Sequence, residues 1–123
     1  MNTLNEILNL EPDQFETCWP QIDNIIGGIR SGGEQVKAWE KVVNRLGSAP
    51  ISKGHPYFRL AVLHLQTDAD ESVAISCLEL AYREDQQYGP NVGKEPHRMG
   101  AYRLLSLTKG FLAYLRKQEN WQT

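Results

Sequence analysis

The sequence has no apolar run long enough to cross a membrane, since no stretch approaches the roughly 20 residues that a bilayer requires. Its first residues also lack the basic start and the continuous apolar segment of a secretion signal. Only two cysteines are present, Cys18 and Cys77, and they lie far apart within apolar helical patterns. These features predict a soluble cytoplasmic protein with two buried free thiols rather than a disulfide.

Patterns that carry catalysis or bind metals are also scarce. None of the three histidines, His55, His64 and His97, has a cysteine or a second histidine three or four residues away. A zinc site is therefore not expected, and each histidine is predicted to have a structural role. The segment GGIRSGG at 27–33 matches neither glycine-rich phosphate-binding pattern and follows no strand, so it indicates a helix end and a turn. We therefore expect no metal, no cofactor and no enzymatic activity. The remaining enzyme alternative would depend on His97 or Cys77.

The charge is unevenly distributed along the 123 residues. The formal net charge of −2 argues against nucleic-acid binding, which usually requires a clustered basic surface. Residues 1–40 carry 7 acidic and 2 basic groups, whereas residues 82–123 carry 4 acidic and 7 basic groups. The acidic N-terminal third could steer a basic protein partner, or it could be an ordinary solvated face.

Two short signals predict the first two helices. Thr3 followed by Glu6 has the spacing of a capping box, in which each side chain satisfies a free backbone N–H. Pro12 suits the first turn of a second helix, because that position needs no N–H donor. Pro20 interrupts the apolar stripe of this helix, so we expect a kink or two abutting helices there.

A third helix is predicted before residue 48. Gly32 and Gly33 predict the turn that ends the second helix. From Glu34 onward, apolar residues recur at the spacing of an amphipathic helix that ends at Gly47. These residues are Val36, Trp39, Val43 and Leu46. The N-terminal helices therefore occupy about residues 4–47.

A helical hairpin follows at about residues 55–87, with a polar turn in which Asp70 is a plausible N-cap. Its predicted inward-facing residues are Phe58, Ala61, Val62, Leu65, Ala74, Leu78 and Ala81. A final helix is predicted at about residues 96–117. The prediction is thus a single all-α domain of five to six helices in antiparallel pairs.

The hairpin resembles one tetratricopeptide repeat, in which small and large apolar residues interlock two antiparallel helices. When Ala74 is taken as the small residue early in the second helix, the other inward residues fall at the packing offsets of the repeat. The sequence departs from the family at three signature positions, where Phe58 replaces tryptophan, Val62 replaces glycine and Gln86 replaces proline. The resemblance implies stacked hairpins with a concave face that binds peptides or protein surfaces.

The concave face would combine residues of the first hairpin helix with residues of the final helix, if the final helix stacks like the start of a second repeat. The candidate binding residues on it are Arg59, Leu63, Gln66, Tyr102, Ser106 and Lys109. Core packing is the alternative for Leu63 and Tyr102.

A second resemblance extends over residues 55–115. The segments HPYFRLAVLHL, LELAYRED and AYRLLSLTKGFLAYL look like those of small bacterial immunity proteins to secreted polymorphic toxins. This resemblance implies a cytoplasmic protein, a monomer or weak dimer, that covers a toxin domain with a surface of complementary charge and binds neither nucleic acid nor membrane. The acidic candidates for that contact are Glu11, Asp13, Glu16 and Asp23. The alternative hypothesis is a scaffold or secretion chaperone that holds a peptide or effector segment.

Overall fold

The computed structural model describes residues 1–67 and 71–88, and all regular secondary structure within them is α-helical. The helices are α1 (Leu4–Leu8), α2 (Pro12–Gly27), α3 (Gly32–Leu46), α4 (Gly54–Thr67) and α5 (Glu71–Tyr88). The largest helix–helix contact is between α4 and α5, and the next largest is between α3 and α4. The predicted all-α fold is confirmed. No helix of the described residues is long and apolar enough to span a membrane.

Several predictions concern residues outside the described part of the chain. They are the final helix at 96–117, the cap at Asp70 and the candidate binding residues Tyr102, Ser106 and Lys109. The alternative catalytic residue His97 belongs to the same group. All of these remain predictions.

The starts of α1 and α2 follow the predicted signals. Thr3 Oγ1 accepts a hydrogen bond from the backbone N–H of Glu6 at 3.2 Å, which caps α1. The Glu6 carboxylate accepts from the backbone N–H of Asn2 at 3.1 Å, and this bond is the main reason that the pKa of Glu6 is lowered. Pro12 opens α2, and Glu11 and Gln14 cap it reciprocally.

The structure corrects two predictions about helix boundaries. First, α2 runs through Pro20 as one helix, so of the two predicted alternatives, a kink or two abutting helices, the second is wrong. Because Pro20 lacks an N–H, it withholds only the hydrogen bond that would go to the carbonyl of Glu16. Second, Gly32 and Gly33 do not end α2. They form the first turn of α3, which Ser31 caps by accepting from the N–H of residue 34 at 3.3 Å.

Gly32 lies where the start of α3 approaches the end of α4. A Cβ atom at this position would be 2.5 Å from Thr67 Cγ2, which is closer than two carbon atoms approach without a shift. The absence of a side chain at Gly32 therefore permits the close approach of these two helix ends.

The helices share one cluster of buried apolar residues. Its members in the first three helices are Ile7, Phe15, Trp19, Ile22, Ile26, Ala38, Trp39, Val42 and Leu46, and those in the last two are Leu60, Ala61, Leu63, Leu65, Ala74, Cys77 and Leu78. In α4 the predicted inward positions are correct at Ala61 and Leu65, whereas Phe58 and Val62 are only half-buried. Because α4 packs against both α3 and α5, it also buries Leu60 and Leu63, which lie outside the single predicted stripe. In α5 the predicted inward residues Ala74, Leu78 and Ala81 are buried.

Arg45 on α3 forms hydrogen bonds with the end of α1 and with the segment that follows it. Its Nε donates to the carbonyl of Leu8 at 2.8 Å, and its Nη2 donates to the carbonyl of Leu10 at 2.7 Å. A short helix such as α1 is marginal by itself, so its position depends on contacts of this kind. The two charge-assisted bonds join residues 35 and 37 positions apart in the chain.

We predict that Arg45→Met lowers the free energy of unfolding by about 1.5–3 kcal/mol, because it leaves two partly buried carbonyl groups without their donors. Urea denaturation followed by circular dichroism measures the change. The control is Arg83→Met, since the Arg83 side chain is 74% exposed and its ion pair with Glu79 is long, at 4.0 Å. The expected decrease in the free energy of unfolding for this control is below about 0.5 kcal/mol. Equal losses in the two variants would contradict the role assigned to Arg45.

Candidate functional site

Two pairs of residues, each spaced by four positions, meet between α2 and α4. Trp19 and Asp23 lie on one face of α2, and His55 and Arg59 lie on one face of α4. Asp23 Oδ1 is 2.8 Å from His55 Nε2, and Asp23 Oδ2 is 3.1 Å from Arg59 Nη2. The two oxygens of one carboxylate thus have different partners on the same helix. We call Trp19, Asp23, Trp39, His55 and Arg59 the Asp23 cluster.

The position of His55 depends on how α4 begins. Lys53 lies two residues before His55. Its Nζ donates to the carbonyl of Gly47 at 3.0 Å, and the same atom is 3.2 Å from a carboxylate oxygen of Glu84. The backbone N–H of Lys53 donates to the same oxygen at 2.9 Å. These contacts join the start of α4 to the end of α3 and to α5. They therefore place His55 in the first helical turn, facing α2.

Aromatic rings enclose the imidazole of His55, which is 3% exposed. The indole of Trp19 stacks on it with 4.8 Å between centroids and an interplanar angle of 20°. Trp39 from α3 approaches at 5.8 Å in a tilted geometry. Stacked and tilted rings at these distances have favourable dispersion and quadrupole interactions. The polar contact with Asp23 is thus held in place by apolar packing on the other sides of the ring.

Asp23 is ionised at neutral pH. Burial opposes its charge, but the hydrogen bond from His55 and the charges of His55 and Arg59 outweigh burial, so the pKa of Asp23 is below its usual value of 3.8. An ionised carboxylate can only accept hydrogen bonds. It follows that the Nε2 of His55 carries the hydrogen in the 2.8 Å contact.

Two donors of the Asp23 cluster are buried without an acceptor. Within the described part of the chain, neither Trp19 Nε1 nor Arg59 Nε has a hydrogen-bond partner. Trp19 is 6% exposed overall, so its indole N–H has little access to solvent. A buried donor with no acceptor costs about 1–3 kcal/mol and is uncommon in folded proteins. Both donors belong to residues that line the open pockets described next.

Asp23 and Arg59 separate two open pockets. The Gln66 pocket, of about 200 Å³, is lined by Asp23, Gly27, Gln35, Trp39, Arg59, Val62, Leu63 and Gln66. The Glu16 pocket, of about 480 Å³, is lined by Glu16, Thr17, Trp19, Pro20, Asp23, His55 and Arg59. Small-molecule sites in proteins fall in the range from about 300 to 1,000 Å³, and a side chain of a partner requires less. The two pockets share Asp23 and Arg59 in their linings, and we refer to them together as the groove.

The structure brings together candidate residues that the sequence placed on separate faces. Arg59, Leu63 and Gln66 lie in one pocket with Asp23, and Glu16 lines the neighbouring pocket. Leu63 is only 8% exposed, so core packing, the alternative predicted for it, describes its environment.

Glu11 and Asp13 line neither pocket. They are exposed at the start of α2, on the same helix as Glu16. The acidic candidates thus extend from the N-terminal end of α2 to the groove. Tyr102, Ser106 and Lys109 lie outside the described residues.

His55 was predicted to have only a structural role, yet it is the residue of α4 that meets both Asp23 and Trp19. The available signal was the repeated spacing of four positions, Trp19 with Asp23 and His55 with Arg59. The spacing says that each pair shares a helix face, but it does not say that the two faces meet. That information comes only from the packing of α2 and α4.

Other chemistry finds little support among the described residues. No group of three or more histidine, cysteine, aspartate or glutamate side chains there has the geometry to hold a metal ion. Both cysteines are free, with Cys18 half-buried and Cys77 buried. Burial, followed by the charge of Glu40, raises the pKa of Cys77 to about 11, so this thiol is poorly suited to be a nucleophile.

Comparison of the chain with protein-family models, curated proteins and solved structures found no match. The resemblances to the tetratricopeptide repeat and to toxin-immunity proteins therefore remain predictions from sequence.

We predict that Asp23→Asn lowers the free energy of unfolding by about 1–3 kcal/mol at pH 7, because it removes the charge shared by His55 and Arg59. The pKa of Asp23 is lowered in the folded state, so its contribution is present above pH 3.8 and is lost as the pH falls through the lower value. The two proteins should therefore converge in stability at low pH.

Urea denaturation from pH 7 to acid pH measures this convergence. The control is Asp13→Asn, which removes the same charge from an exposed position of the same helix. It should change the stability by less than about 0.5 kcal/mol at every pH. A difference between wild type and Asp23→Asn that does not change with pH would contradict the ion-pair assignment.

We predict that iodoacetamide modifies Cys18 much faster than Cys77 in the folded protein. With a pKa of about 11, only about one Cys77 side chain in a thousand is a thiolate at pH 8. Mass spectrometry of the alkylated peptides measures the two rates, and both thiols should react readily in denaturant. Rapid modification of Cys77 in the folded state would contradict the burial and pKa assigned to it.

Proposed function

We propose that this protein binds a basic surface of another protein, and most specifically that it is a bacterial cytoplasmic immunity protein that neutralises a cognate secreted toxin by direct binding. The observation that carries the proposal is the acidic face of α2 beside a groove that is already formed. Between Pro12 and Gly27, α2 carries three carboxylates and no lysine or arginine. The proposed role is binding and not catalysis.

The charge of α2 supports the choice of a basic partner. Asp13 and Glu16 are exposed and lie three positions apart, so they project from neighbouring parts of the helix surface. Exposed charges of one sign raise the rate of association with a surface of opposite charge more than they raise affinity. A cytoplasmic inhibitor benefits from rapid association, because the toxin has to be bound before it acts.

The rigidity of the groove supports direct inhibition. Asp23 is held by two partners on α4, and the ring of His55 is packed between indoles. A surface that is ordered before binding loses less conformational entropy on association, so more of the contact energy remains as affinity. The resemblance of residues 55–115 to immunity proteins adds the choice of a toxin as the partner.

A scaffold or secretion chaperone is the second candidate. The two neighbouring pockets along α4 favour it, because an extended peptide could place successive side chains in them. In that case the protein would bind many peptides, and binding would be lost when Arg59 and Tyr102 are replaced. An immunity protein would instead bind one toxin domain in a stoichiometric complex.

The test is affinity purification of the tagged protein with the product of the neighbouring toxin gene, together with protection of cells that express the toxin. We expect a 1:1 complex and protection. Neither binding nor protection would overturn the immunity proposal. Enzymatic activity that disappears when His97 or Cys77 is replaced, in a protein still folded by circular dichroism, would overturn the binding proposal as a whole.

We predict that Asp13→Asn combined with Glu16→Gln slows association with the basic partner by about tenfold at low salt, because two steering charges are removed. Stopped-flow or biosensor kinetics measure the rate, and the difference should shrink at high salt. The control variant is Glu40→Gln combined with Glu79→Gln, which neutralises two exposed carboxylates of α3 and α5. An equal effect of the control would show that net charge, and not the face of α2, determines the rate.

A further inference from the structure

A separate cleft is lined by α3, α4 and α5. Helix α4 packs against both of the others and contributes Tyr57, Leu60 and His64, which share one face because they are three and four positions apart. Val43 of α3 and Val73 of α5 line the same space, which has a volume of about 390 Å³. We call it the Tyr57 cleft. Among the described residues it shares no lining residue with the groove beside the Asp23 cluster.

The Tyr57 cleft leaves apolar surface open to solvent. Val43, Tyr57 and Val73 pack against the core but are only half-buried. Leu80 follows the lining residue Cys77 by three positions on α5 and is 37% exposed, which makes it one of two large apolar side chains exposed among the described residues. A cleft with apolar residues from several helices accepts the apolar face of an amphipathic helix.

The charge of the cleft favours a basic occupant. Glu40 lines the cleft and is exposed, whereas no lysine or arginine of the described residues lines it. Burial first, and then the charge of Glu40, raise the pKa of Cys77, so this carboxylate acts within the cleft. A helix with an apolar face and a lysine or arginine beside that face would therefore be complementary to it.

The described chain ends beside the same cleft. Tyr88 is the last described residue, and its ring centroid lies 5.9 Å from Lys53 Nζ. Lys53 is paired with Glu84 at 3.2 Å. Burial, and then the charge of Glu84, raise the pKa of Tyr57, so Glu84 is also close to the cleft. The chain thus leaves the described structure at the end of the Tyr57 cleft where α4 begins.

The residues that follow Tyr88 have the composition that the cleft favours. Residues 89–123 contain six lysines and arginines and two glutamates. The connector 89–95 can extend over about 23 Å, so the helix predicted at 96–117 can start at the near end of the cleft. The central residues of its apolar stripe recur at the spacing of one helix face and are Leu104, Leu105, Thr108, Phe111 and Leu112.

We propose that residues 101–115 of this chain occupy the Tyr57 cleft as an amphipathic helix, with the apolar stripe against α4 and Lys109 beside Glu40. The segment runs parallel to α4, because it enters where α4 begins. In a right-handed helix of that direction, the flank that carries Lys109 faces α3, the helix to which Glu40 belongs. Leu104 then lies toward the Tyr57 end of the cleft, and Phe111 lies toward its other end.

This placement differs from the one that the tetratricopeptide resemblance implies. It puts the final helix on another face of α4 and so separates Tyr102, Ser106 and Lys109 from Arg59. It goes beyond the proposed function and does not depend on it, because the acidic face of α2 and the groove stay open to a partner when the segment is in the Tyr57 cleft.

Photo-cross-linking in the full chain tests the placement. The photoreactive residue p-benzoylphenylalanine replaces Phe111 on the apolar stripe or, as the control, Ala113. Positions two apart do not share a helix face, so the control probe points away from the cleft. Mass spectrometry of the digested monomer should show cross-links from position 111 to α4 or α5 near His64 or Val73, and none to these helices from position 113.

The other cross-linking outcomes contradict the proposal. Cross-links from position 111 to α2, or only between two copies of the chain, would overturn the placement. The absence of any cross-link from position 111 would also overturn it, and so would equal cross-linking of the cleft from position 113.

The thiol of Cys77 provides a second measurement, because it lines the cleft and the segment would cover it. Leu104→Asp removes an apolar contact of the segment and should raise the rate at which iodoacetamide modifies Cys77 by at least about tenfold. Ser106→Asp adds the same charge two positions away, off the stripe, and should change the rate by less than about twofold. An unchanged rate in Leu104→Asp, or an equal increase in Ser106→Asp, would overturn the proposal.

The predicted ion pair is tested in the same assay. Lys109→Glu should raise the rate of Cys77 modification by about two- to fivefold, which is the effect expected of an exposed ion pair. Lys117→Glu makes the same change on another side of the predicted helix and should leave the rate unchanged. The rate of Cys18 modification on α2 is the internal reference and should stay constant in all four variants. Equal effects of the two lysine variants would overturn the contact between Lys109 and Glu40.

Discussion

The carboxylate of Asp23 is the contact on which the arrangement of the groove depends. It lies on α2, and both of its partners lie on α4, at 2.8 Å and 3.1 Å. A carboxylate with only one partner could rotate about its side-chain bonds, whereas two partners four positions apart on α4 restrain it at both oxygens. This contact is strong because the site is partly buried and both bonds are charge-assisted.

Several contacts remote from Asp23 support this arrangement. The Lys53 contacts with Gly47 and Glu84 set where α4 begins, and therefore where His55 lies relative to α2. Gln35 donates to the carbonyl of Ile29 at 2.7 Å, which ties the turn between α2 and α3 to the first turn of α3. Each contact joins the end of one helix to the next. The contacts therefore lie at the C-terminal end of α2, at both ends of α3 and at the start of α4.

Local signals in the sequence were sufficient to predict most helices. Pro12 and the pair Thr3 and Glu6 mark helix starts because their effects involve only neighbouring backbone groups. The glycines were misassigned although a local signal was present. Ser31 and Glu34 have the same spacing as Thr3 and Glu6, and Ser31 caps α3. Only the close approach of Thr67 to Gly32, 35 positions away in the chain, is absent from every local pattern.

The candidate site shows the same limit. Arg59 and Gln66 were placed on one face of their helix, and Glu16 and Asp23 were selected for their charge, but nothing in the sequence joined the two groups. Burial of His55 was missed because a histidine before a proline has no apolar periodicity to indicate it. Pairing between helices is a tertiary property, and here it includes the Asp23 carboxylate and the stacking of Trp19 on His55.

The contacts of the Asp23 cluster are incomplete at two atoms, Trp19 Nε1 and Arg59 Nε. Asp23 satisfies Nη2 of Arg59, but Nε of the same side chain has no acceptor within the described residues. A buried donor without an acceptor costs about 1–3 kcal/mol, and a second acceptor would remove that cost. The cluster thus combines two charge-assisted bonds and ring stacking with two unpaired N–H groups, so its net contribution to stability is smaller than its number of polar contacts suggests.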